Sequence, residues 1–480
     1  MQHRHLNFGL AAIVTLCAFT AHAAPPLDIG SRLELFIDNY LIESQANTVL
    51  RLQSPRPAER VISFDKPWEG PFCGYITVFE DEGTYRMYYR GKRIASADGV
   101  DEVTCYAESK DGINWTKPEL GIHEYDGSTA NNIILSNVAP YSHNFIAFKD
   151  TRPDVPKAEQ YKGMAGTAES GLHAFFSADA IHWVMQENAI ITDGAFDSQN
   201  VAFWSESEQQ YCAYFRVWHQ GGFKGFRSVA RATSKDFLTW TKAEEMDFGH
   251  TPREHIYINQ TLPYFRAPHI YLGLAARFMP GRKVATAEEA TAIGVNPKYA
   301  NDCSDNVLLT SRGGNKYDRT FMDGFLKPEI GLENWTSRSN YPAWGIVPTG
   351  EREISVYITT HYAQPTVGLK RYTLRPDGFA AVEAPYAGGE MTTKTLTFAG
   401  KSLYLNYATS AAGSIRVELL DDTGVIIPGF EANNCFEIIG NQIARAVRWG
   451  DSADLSALAG TPIRLRFVMK DADLYSIQFR

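Results

Sequence analysis

The chain has 480 residues, of which 44% are hydrophobic and 21% are charged, and its formal net charge is -9. This composition is that of an ordinary folded protein, and the length exceeds what one hydrophobic core usually serves, so we expect two domains. The negative net charge argues against a nucleic-acid partner, because binding to phosphates requires a basic surface.

The first 23 residues have the three-part pattern of a secretory signal peptide. A weakly basic start at residues 3–5 is followed by a short apolar run at residues 10–19, and Ala21 and Ala23 form a small-residue cleavage site. The apolar run is too short to span a bilayer, and no later run is long enough to act as a membrane anchor. We therefore expect an exported protein, either periplasmic or extracellular.

Short runs of aromatic and β-branched residues between Gly, Asp and Pro turns predict strands in the rest of the chain. A first run at residues 33–40 predicts an outer strand or a closing strand. Five pairs of strands follow, at residues 75–80 and 85–90, 145–149 and 161–167, 200–204 and 211–216, 261–265 and 270–277, and 344–348 and 354–360. Only residues 285–292 have a helical pattern. They lie in an insertion at residues 280–301, whose position in the chain suggests a lid over a site.

One short motif recurs after these pairs of strands. In each copy the Ser and Asp side chains can bond local backbone amides in a tight turn, while an aromatic residue packs beneath them. The copies read SKDGINW at 109–115, SADAIHW at 177–183, SKDFLTW at 234–240 and, with Gly313 in place of the aspartate, SRGGNKY at 311–317. A unit repeated at this spacing, with about four strands per copy, predicts a five-bladed β-propeller over residues 24–388. An array of β-sandwiches or a solenoid is the alternative.

After residue 388 the pattern changes. Residues 389–480 contain short alternating runs with Asp-rich turns and no copy of the motif. They predict a small, separate β-sandwich of the jelly-roll kind. Such a domain either binds carbohydrate or packs on the propeller for stability.

The cysteines beyond residue 23 argue against a disulfide framework and allow a single disulfide. Their number is odd, their spacing is wide, and no CxxC pair occurs. Each lies in or beside an apolar or strand-like run, so we interpret them as small buried side chains. They are Cys73, Cys105, Cys212, Cys303 and Cys435.

Position within a blade predicts which side chains meet at one mouth of the propeller. The residues before the first strand, at the end of the second and at the start of the third all lie on the same face of a blade. The catalytic candidates at these positions are Asp197, Glu69, Glu254 and Asp305. The candidates for substrate binding are Arg90, His143, Gln199, Arg216, His255, Arg277, Trp344 and His361.

These side chains suit a poly- or oligosaccharide, because carboxylates and guanidinium groups bind hydroxyl or acidic groups while aromatic rings stack on sugar faces. Hydrolysis of a glycosidic bond needs two carboxyl groups. We favour Asp197 as the base or nucleophile, because several polar residues directly before a buried strand are costly unless they face a wet cavity. Glu254 or Glu69 is then the general acid. The motif aspartates Asp111 and Asp179 are interpreted as structural, as is Asp236.

The arginines at the strand ends have two interpretations. They indicate an acidic sugar, or they hold the catalytic carboxylates in the ionised state by pairing with them. The spacing of the candidate ligands predicts no metal site, and nothing in the sequence indicates a cofactor.

The blade pattern, the SKDGINW-type turns and the opening LFIDNYLI at residues 35–42 resemble a group of exported bacterial glycosyl hydrolase-like proteins. Their architecture is related to the five-bladed enzymes of glycoside hydrolase families 43 and 32. The resemblance covers most of the chain after residue 23, including the C-terminal sandwich. It implies a carbohydrate-active propeller, and it implies an exo-acting hydrolase. It carries over no catalytic set, because the Arg-Asp-Pro and Glu-Cys signatures of the invertase-type enzymes do not occur.

Two other functions stay open on sequence grounds. One is a non-catalytic propeller for sugar binding or adhesion. The other is a polysaccharide lyase, which uses a His or Tyr base and an arginine to neutralise a uronate. His143, His255 and Tyr257 are the candidate bases for that reaction.

Overall fold

The computed structural model describes residues 25–96 and 99–480, and in this range nearly all regular structure is β-strand. The predicted signal peptide at residues 1–23 lies outside the described residues. In the described part, no helix has the length and apolar character needed to cross a membrane. The five cysteines are buried and unbonded, as expected.

The first five strands of the described chain each pair with a strand that lies far along the sequence. They are β1 (Leu27–Gly30), β2 (Leu33–Leu35), β3 (Ile42–Ala46), β4 (Val49–Leu52) and β5 (Arg56–Ser63).

The first two blades follow directly. Blade one contains β6 (Gly74–Asp81), β7 (Thr84–Lys92) and β8 (Glu102–Ser109), with the short strands β9 (Trp115–Thr116) and β10 (Ile133–Leu135) on β8. Blade two contains β11 (Ile146–Lys149), β12 (Tyr161–Thr167), β13 (Gly171–Ser177) and β14 (Val184–Met185).

Blades three and four repeat the antiparallel order. Blade three contains β15 (Val201–Ser205), β16 (Gln210–Trp218), β17 (Arg227–Ser234) and β18 (Glu244–Glu245). Blade four contains β19 (His255–Tyr264), β20 (Ala267–Met279) and β21 (Cys303–Ser311). The insertion between β20 and β21 holds the helix α1 (Ala287–Ala292), which Thr286 and Glu289 begin with a capping box, and a 3-10 turn at Pro297–Tyr299.

Blade five closes the ring. It contains β22 (Tyr341–Pro342), β23 (Val347–Gly350), β24 (Glu353–Thr360) and β25 (Gly368–Leu374), and its outermost strand is β5. The inner strands β6, β11, β15, β19 and β22 contact one another in cyclic order. The predicted five-bladed β-propeller is therefore confirmed.

The closing strand differs from the one expected at residues 33–40. Ser63 of β5 pairs with Gly368 of β25, whereas Leu33 of β2 pairs with Gln478 near the other end of the chain. The reason is the burial of apolar side chains from the early segment, including Phe36, in the core of the second sheet.

That second sheet has ten strands and takes them from both ends of the sequence. The later ones are β26 (Ala380–Ala384), β27 (Gly389–Thr393), β28 (Leu396–Phe398), β29 (Leu403–Asp421), β30 (Asn441–Ala446) and β31 (Ile463–Phe479). It encloses an apolar cluster distinct from those of the propeller. The segment 24–388 thus contributes β1 to β4 and β26 to this sheet, in addition to all five blades.

The recurrent motif forms one turn with the same hydrogen bonds in each intact copy. In the first copy, Oδ1 of Asp111 accepts the backbone N–H groups of Ile113 and Asn114, and Ser109 donates its hydroxyl to the same oxygen. Asp179 and Asp236 accept the corresponding bonds in blades two and three. These bonds lower the pKa of Asp111 well below its usual range. The motif aspartates therefore fix loops.

Candidate functional site at the mouth of the propeller

Arginine and tyrosine side chains fill the centre of the mouth. Tyr75 and Tyr341 belong to the inner strands of blades one and five, and Tyr257 to that of blade four. The ring of Tyr341 lies 5.1 Å from that of Tyr257 and 6.5 Å from that of Tyr75. Burial raises the pKa of Tyr75 and of Tyr341 well above the usual value, so both phenols are protonated and available as hydrogen-bond donors.

Three guanidinium groups gather around one of these rings. The Cζ atoms of Arg216, Arg227 and Arg338 lie 4.1, 5.1 and 5.3 Å from the centroid of Tyr257. A fourth, that of Arg90, lies 4.3 Å from the centroid of Tyr75. Cations over the faces of aromatic rings are attracted by the ring quadrupole, and this holds the arginines in place at the mouth.

Asp197 is the exposed carboxylate of this centre. Its side chain is 43% exposed, whereas that of its partner Arg216 is 3% exposed, and Oδ2 lies 3.4 Å from Nη1. Arg216 also donates from Nη2 to the backbone carbonyl of Tyr257. The loop before β15 thus presents the carboxylate of Asp197 to solvent. The end of β16 supplies the buried cation, Arg216, that holds it in place.

A buried network lies beneath Arg90. Its Nη1 donates to Oδ1 of Asn144, whose own amide donates to Nε2 of His143 and to the carbonyl of Ser198 in the next blade. His143 in turn holds Oε2 of Glu102 at 2.9 Å. Burial alone would raise the pKa of Glu102, but the contact with His143 and the charges of Arg90 and Lys92 lower it to about 2. This network fixes Arg90 and ties blade two to blade three.

Glu254 and Asp305 meet on a different arginine. Arg277 donates to both oxygens of Asp305, at 2.9 and 2.5 Å, and to Oε1 of Glu254 at 2.8 Å. The other oxygen of Glu254 is paired with Arg319. The carboxylates of blade four are therefore brought together, but every oxygen already accepts from a guanidinium group.

Two adjacent hollows connect these groups. One, of about 100 Å³, is lined by Arg227, Glu254 and Arg319, and the smaller one by Ser198, Arg216 and Tyr257. Ser228 and Ile256 border both of them. The two hollows therefore adjoin each other and form a depression between blades three and four, with Glu254 on the larger hollow and Arg216, the partner of Asp197, on the smaller one.

An aromatic loop borders the same depression. Phe223 and Phe226 are 63% and 37% exposed, and the ring of Trp218 lies 6.1 Å from that of Phe223. His255 packs against Phe226 at 4.9 Å and accepts the backbone N–H of Arg227 at Nδ1. Burial and the charge of Arg227 lower the pKa of His255, so its ring is neutral at neutral pH.

Several bulky residues at this end of the propeller have a strained backbone. Non-glycine residues rarely adopt positive φ, and bulky ones do so only where surrounding contacts enforce it. Here Tyr75, Asn144, Phe196, Arg338 and His361 all have φ between +36° and +63°. Several of these residues aim the side chains just described, or precede one that does, as Phe196 precedes Asp197.

The insertion between β20 and β21 covers the blade-one and blade-five side of the mouth. Tyr299 packs at 5.5 Å on Phe72 and at 5.6 Å on Tyr362. Tyr362 also accepts a hydrogen bond from Arg90. The insertion therefore adds a tyrosine to the arginine cluster and leaves the blade-three and blade-four side open.

Other predicted site residues are engaged within the protein. Both oxygens of Glu69 are bonded by Tyr89 and Lys117, and its side chain is fully buried. Gln199 borders the smaller hollow, but its buried amide donates to Thr77 and accepts from Gln260.

Trp344 and His361 are also engaged within the protein. Trp344 is 6% exposed, belongs to the main core and donates from Nε1 to the carbonyl of Thr261. His361 bonds Thr366, and burial together with the charge of Arg60 lowers its pKa.

Sequence reasoning missed two of the four central arginines. Arg227 opens the third strand of blade three, a position that corresponds to those of Glu102 in blade one and Asp305 in blade four. Arg338 lies in a loop just before β22 with no pattern that marks it. Tyr299 was likewise hidden in the insertion. Among the described residues no group of three or more His, Cys, Asp or Glu side chains is arranged to hold a metal ion.

Comparison with known proteins gives little at the level of sequence. No family model matches the chain. Two uncharacterized proteins of Mycobacterium tuberculosis, from strains CDC 1551 and H37Rv, are 29% identical over 120 residues, which is 23% of this chain. The chain spans 36% of the length of these curated relatives.

Solved structures share the fold. They include a glycoside hydrolase (13% identity, TM-score 0.46, covering 70% of this chain and 95% of that one) and a glycosyl hydrolase from Bacteroides ovatus (10%, 0.45, 68% and 95%). An N-acetylgalactosamine deacetylase from F. plautii, in complex with blood group B trisaccharide, is also similar (12%, 0.41, 68% and 94%). Two of these three proteins are named as glycoside or glycosyl hydrolases, and their likeness to this chain is one of overall fold.

Proposed function

We propose that the chain is a carbohydrate-active enzyme that hydrolyses a glycosidic bond of a poly- or oligosaccharide at the depression between blades three and four. The observation that carries this proposal is the position of Asp197. Its carboxylate is exposed at the mouth and is held by a buried guanidinium group at 3.4 Å. A fixed, solvent-facing carboxylate beside an aromatic surface is what a hydrolytic base or nucleophile requires.

Glu254 is the second carboxylate of the proposed reaction. It borders the same depression at its other end, with Ser228 and Ile256 between it and Arg216. To deliver a proton to a leaving group, Glu254 has to give up its contact with Arg277 or Arg319 when substrate binds. Asp305 then remains as the partner of Arg277.

The lyase alternative keeps one of its three candidate bases. His143 is buried within the Glu102 network, and the Nδ1 lone pair of His255 already accepts a backbone N–H, so either histidine has to break a contact before it can abstract a proton. Tyr257 lies among the guanidinium groups of Arg216, Arg227 and Arg338 and stays open as the base.

A non-catalytic glycan-binding propeller is the second candidate. One observation favours it. Every carboxylate oxygen of Glu254 and Asp305 already accepts from a guanidinium group, so Asp197 is the carboxylate of the candidate set that is exposed in the described part of the mouth. In this function the arginines and aromatic rings bind the sugar and nothing cleaves it.

Release of reducing ends from a panel of uronic, sulfated and neutral glycans separates the candidates. With the wild-type protein, release of reducing sugar supports hydrolysis, and a product that absorbs in the ultraviolet indicates a lyase. Asp197→Asn is expected to reduce turnover by at least about 100-fold while the protein still folds and binds glycan. Full activity of this variant would remove Asp197 from the mechanism, and binding without any product would favour the second candidate.

The proposed location is the periplasm or the exterior, on the basis of the signal-peptide pattern at residues 1–23. Cell fractionation of the full chain, compared with a variant in which Ala21 and Ala23 are replaced by bulky residues, tests it. Retention of the wild-type protein in the cytoplasm would contradict it.

A further inference from the structure

We infer that the mouth binds a negatively charged group of the glycan, a carboxylate or a sulfate ester, between Arg216, Arg227 and Arg338. This inference rests on the proposed function and names its substrate class. It differs from the expectation based on strand ends alone, because Arg277, one of the arginines identified there, is neutralised by Asp305 and Glu254.

The first argument is the local balance of charge. Within the described residues, the nitrogens of Arg90, Arg227 and Arg338 have no carboxylate oxygen within salt-bridge distance, and Arg216 has only the exposed Asp197 at 3.4 Å. The protein as a whole carries a net charge of -9, so a cluster of four cations with one close anion is a local feature. Such a cluster attracts anions to the mouth.

The second argument is the presence of buried donors that lack acceptors. The Nε atoms of Arg216 and Arg227 are buried and have no hydrogen-bond partner. Arg216 is 4% exposed and lines the smaller hollow together with Tyr257. Leaving a buried donor unpaired is costly, so a ligand that supplies an acceptor is favoured.

The third argument is the mutual repulsion of the arginines. Burial, followed by the charge of Arg216, lowers the pKa of Arg227. The guanidinium groups of Arg216 and Arg227 lie 4.1 and 5.1 Å from the ring of Tyr257, and this shared neighbour limits how far apart the two charges are. An anion between them relieves this repulsion, whereas a neutral sugar does not.

The chemistry of the surrounding groups fits the anionic part of a sugar. A guanidinium group binds a carboxylate or a sulfate through two parallel N–H donors. The protonated phenols of Tyr75 and Tyr341 add neutral donors for ring hydroxyl groups. The aromatic surface of Trp218 and Phe226 lies beside Arg227 and offers a face for the sugar ring.

Calorimetric titration tests the inference without requiring turnover. The probes are trigalacturonate, a sulfated galactan trisaccharide and neutral galactotriose, added to the full chain carrying Asp197→Asn. We expect one of the two anionic probes to bind at least about 10-fold more tightly than galactotriose, and salt to weaken that binding. Preference for trigalacturonate identifies a carboxylate, and preference for the sulfated probe identifies a sulfate ester. Equal affinity for all three probes would overturn the inference.

Arg227→Gln and Arg338→Gln are the informative variants, since each removes one cation and keeps a polar side chain. Each is expected to lower the affinity for the preferred anionic probe about 10-fold and to leave galactotriose unchanged. Arg352→Gln, at an exposed turn on the opposite face of blade five, changes the net charge equally and serves as the control. Loss of affinity in the control as well, or in neither mouth variant, would contradict the assignment.

The outcomes for the two proposals are separable. Tight binding of an anionic probe with no cleavage of any glycan supports the anion site and contradicts the hydrolase. Cleavage of a neutral glycan with no preference for anionic probes supports the hydrolase and contradicts the anion site.

Discussion

The carboxylate of Asp197, nearly half exposed, lies 3.4 Å from the almost fully buried guanidinium group of Arg216. The buried partner is itself fixed by the carbonyl of Tyr257 and by the ring of the same residue. The cation therefore orients the carboxylate, and solvent reaches only one member of the pair.

Arg216→Lys is expected to reduce kcat by at least about 10-fold. A lysine keeps the charge but cannot bond the Tyr257 carbonyl and the Asp197 carboxylate in one planar fork. Steady-state kinetics on the glycan identified in the panel would measure this, and circular dichroism would verify the fold. An unchanged kcat would show that charge alone is sufficient to orient Asp197.

The ion pair between Glu69 and Lys117 gives a contrasting prediction. The two atoms are 2.7 Å apart, and the side chains are 0% and 11% exposed. Glu69→Ala is expected to lower the free energy of unfolding by about 1–3 kcal/mol, because Tyr89 loses its acceptor and Lys117 keeps only the exposed Asp65 and the carbonyl of Ser63. The double variant Glu69→Leu with Lys117→Met should recover most of this loss in denaturant unfolding. Glycan affinity of the folded double variant should equal that of the wild type, and a loss would return Glu69 to the site.

Acid stability should depend on Glu102. Its pKa is lowered to about 2 in the folded protein, below the ordinary 4.5. A carboxyl group with a lowered pKa stabilises the fold above its unfolded pKa, and this stabilisation is lost as pH falls toward the folded value. The melting temperature of Glu102→Gln should therefore be below that of the wild type at about pH 6, and the difference should shrink between about pH 4.5 and about pH 2. The exposed Glu351→Gln is the control. A gap that stays constant with pH would contradict the network.

The recurrent turns should respond to substitution according to their hydrogen bonds. Asp236→Ala removes acceptors for two backbone N–H groups and is expected to lower the free energy of unfolding by about 1–2 kcal/mol. Gly313→Asp, which restores the consensus in the fourth copy, should not stabilise the protein. Gly313 has a φ of +94°, and an added Cβ would lie 3.2 Å from Oε1 of Glu208. Thermal unfolding compares the two, and stabilisation by Gly313→Asp would show that the turn adjusts.

The sequence predicts the ring of five blades but not the strand that closes it. Copies of one turn revealed the blades, because each turn is a local pattern of Ser and Asp hydrogen bonds that survives divergence. The pairing of β5 with β25 joins segments far apart in the chain, and nothing in β5 distinguishes it from the strands that enter the second sheet. The early strands join the second sheet because Phe36 and its neighbours are buried in the core of that sheet.

The sequence likewise predicts which residues share one face of the propeller but not which of them are already paired. The strand-order argument placed Asp197, Arg216, Glu254 and Arg277 on one face, where the structure has them. It could not show that Arg277 is already neutralised, because that contact depends on side-chain direction. It could not show that Glu69 pairs with Lys117, because Lys117 lies outside the predicted strands. Arg338 lies in a loop of irregular backbone, where sequence position carries no spatial information.

The strand β5 imposes an order on assembly during synthesis. Synthesis from the N-terminus produces β1 to β5 first. Ser63 can pair only after Gly368 has been made, and Leu33 only after Gln478 has been made. Contacts between such distant segments form slowly, and unpaired strand edges invite association with other chains while they wait. Blade five lacks its outermost pairing until β25 has been made, and the second sheet stays incomplete until β31 has been made, so strand edges remain unpaired through most of synthesis.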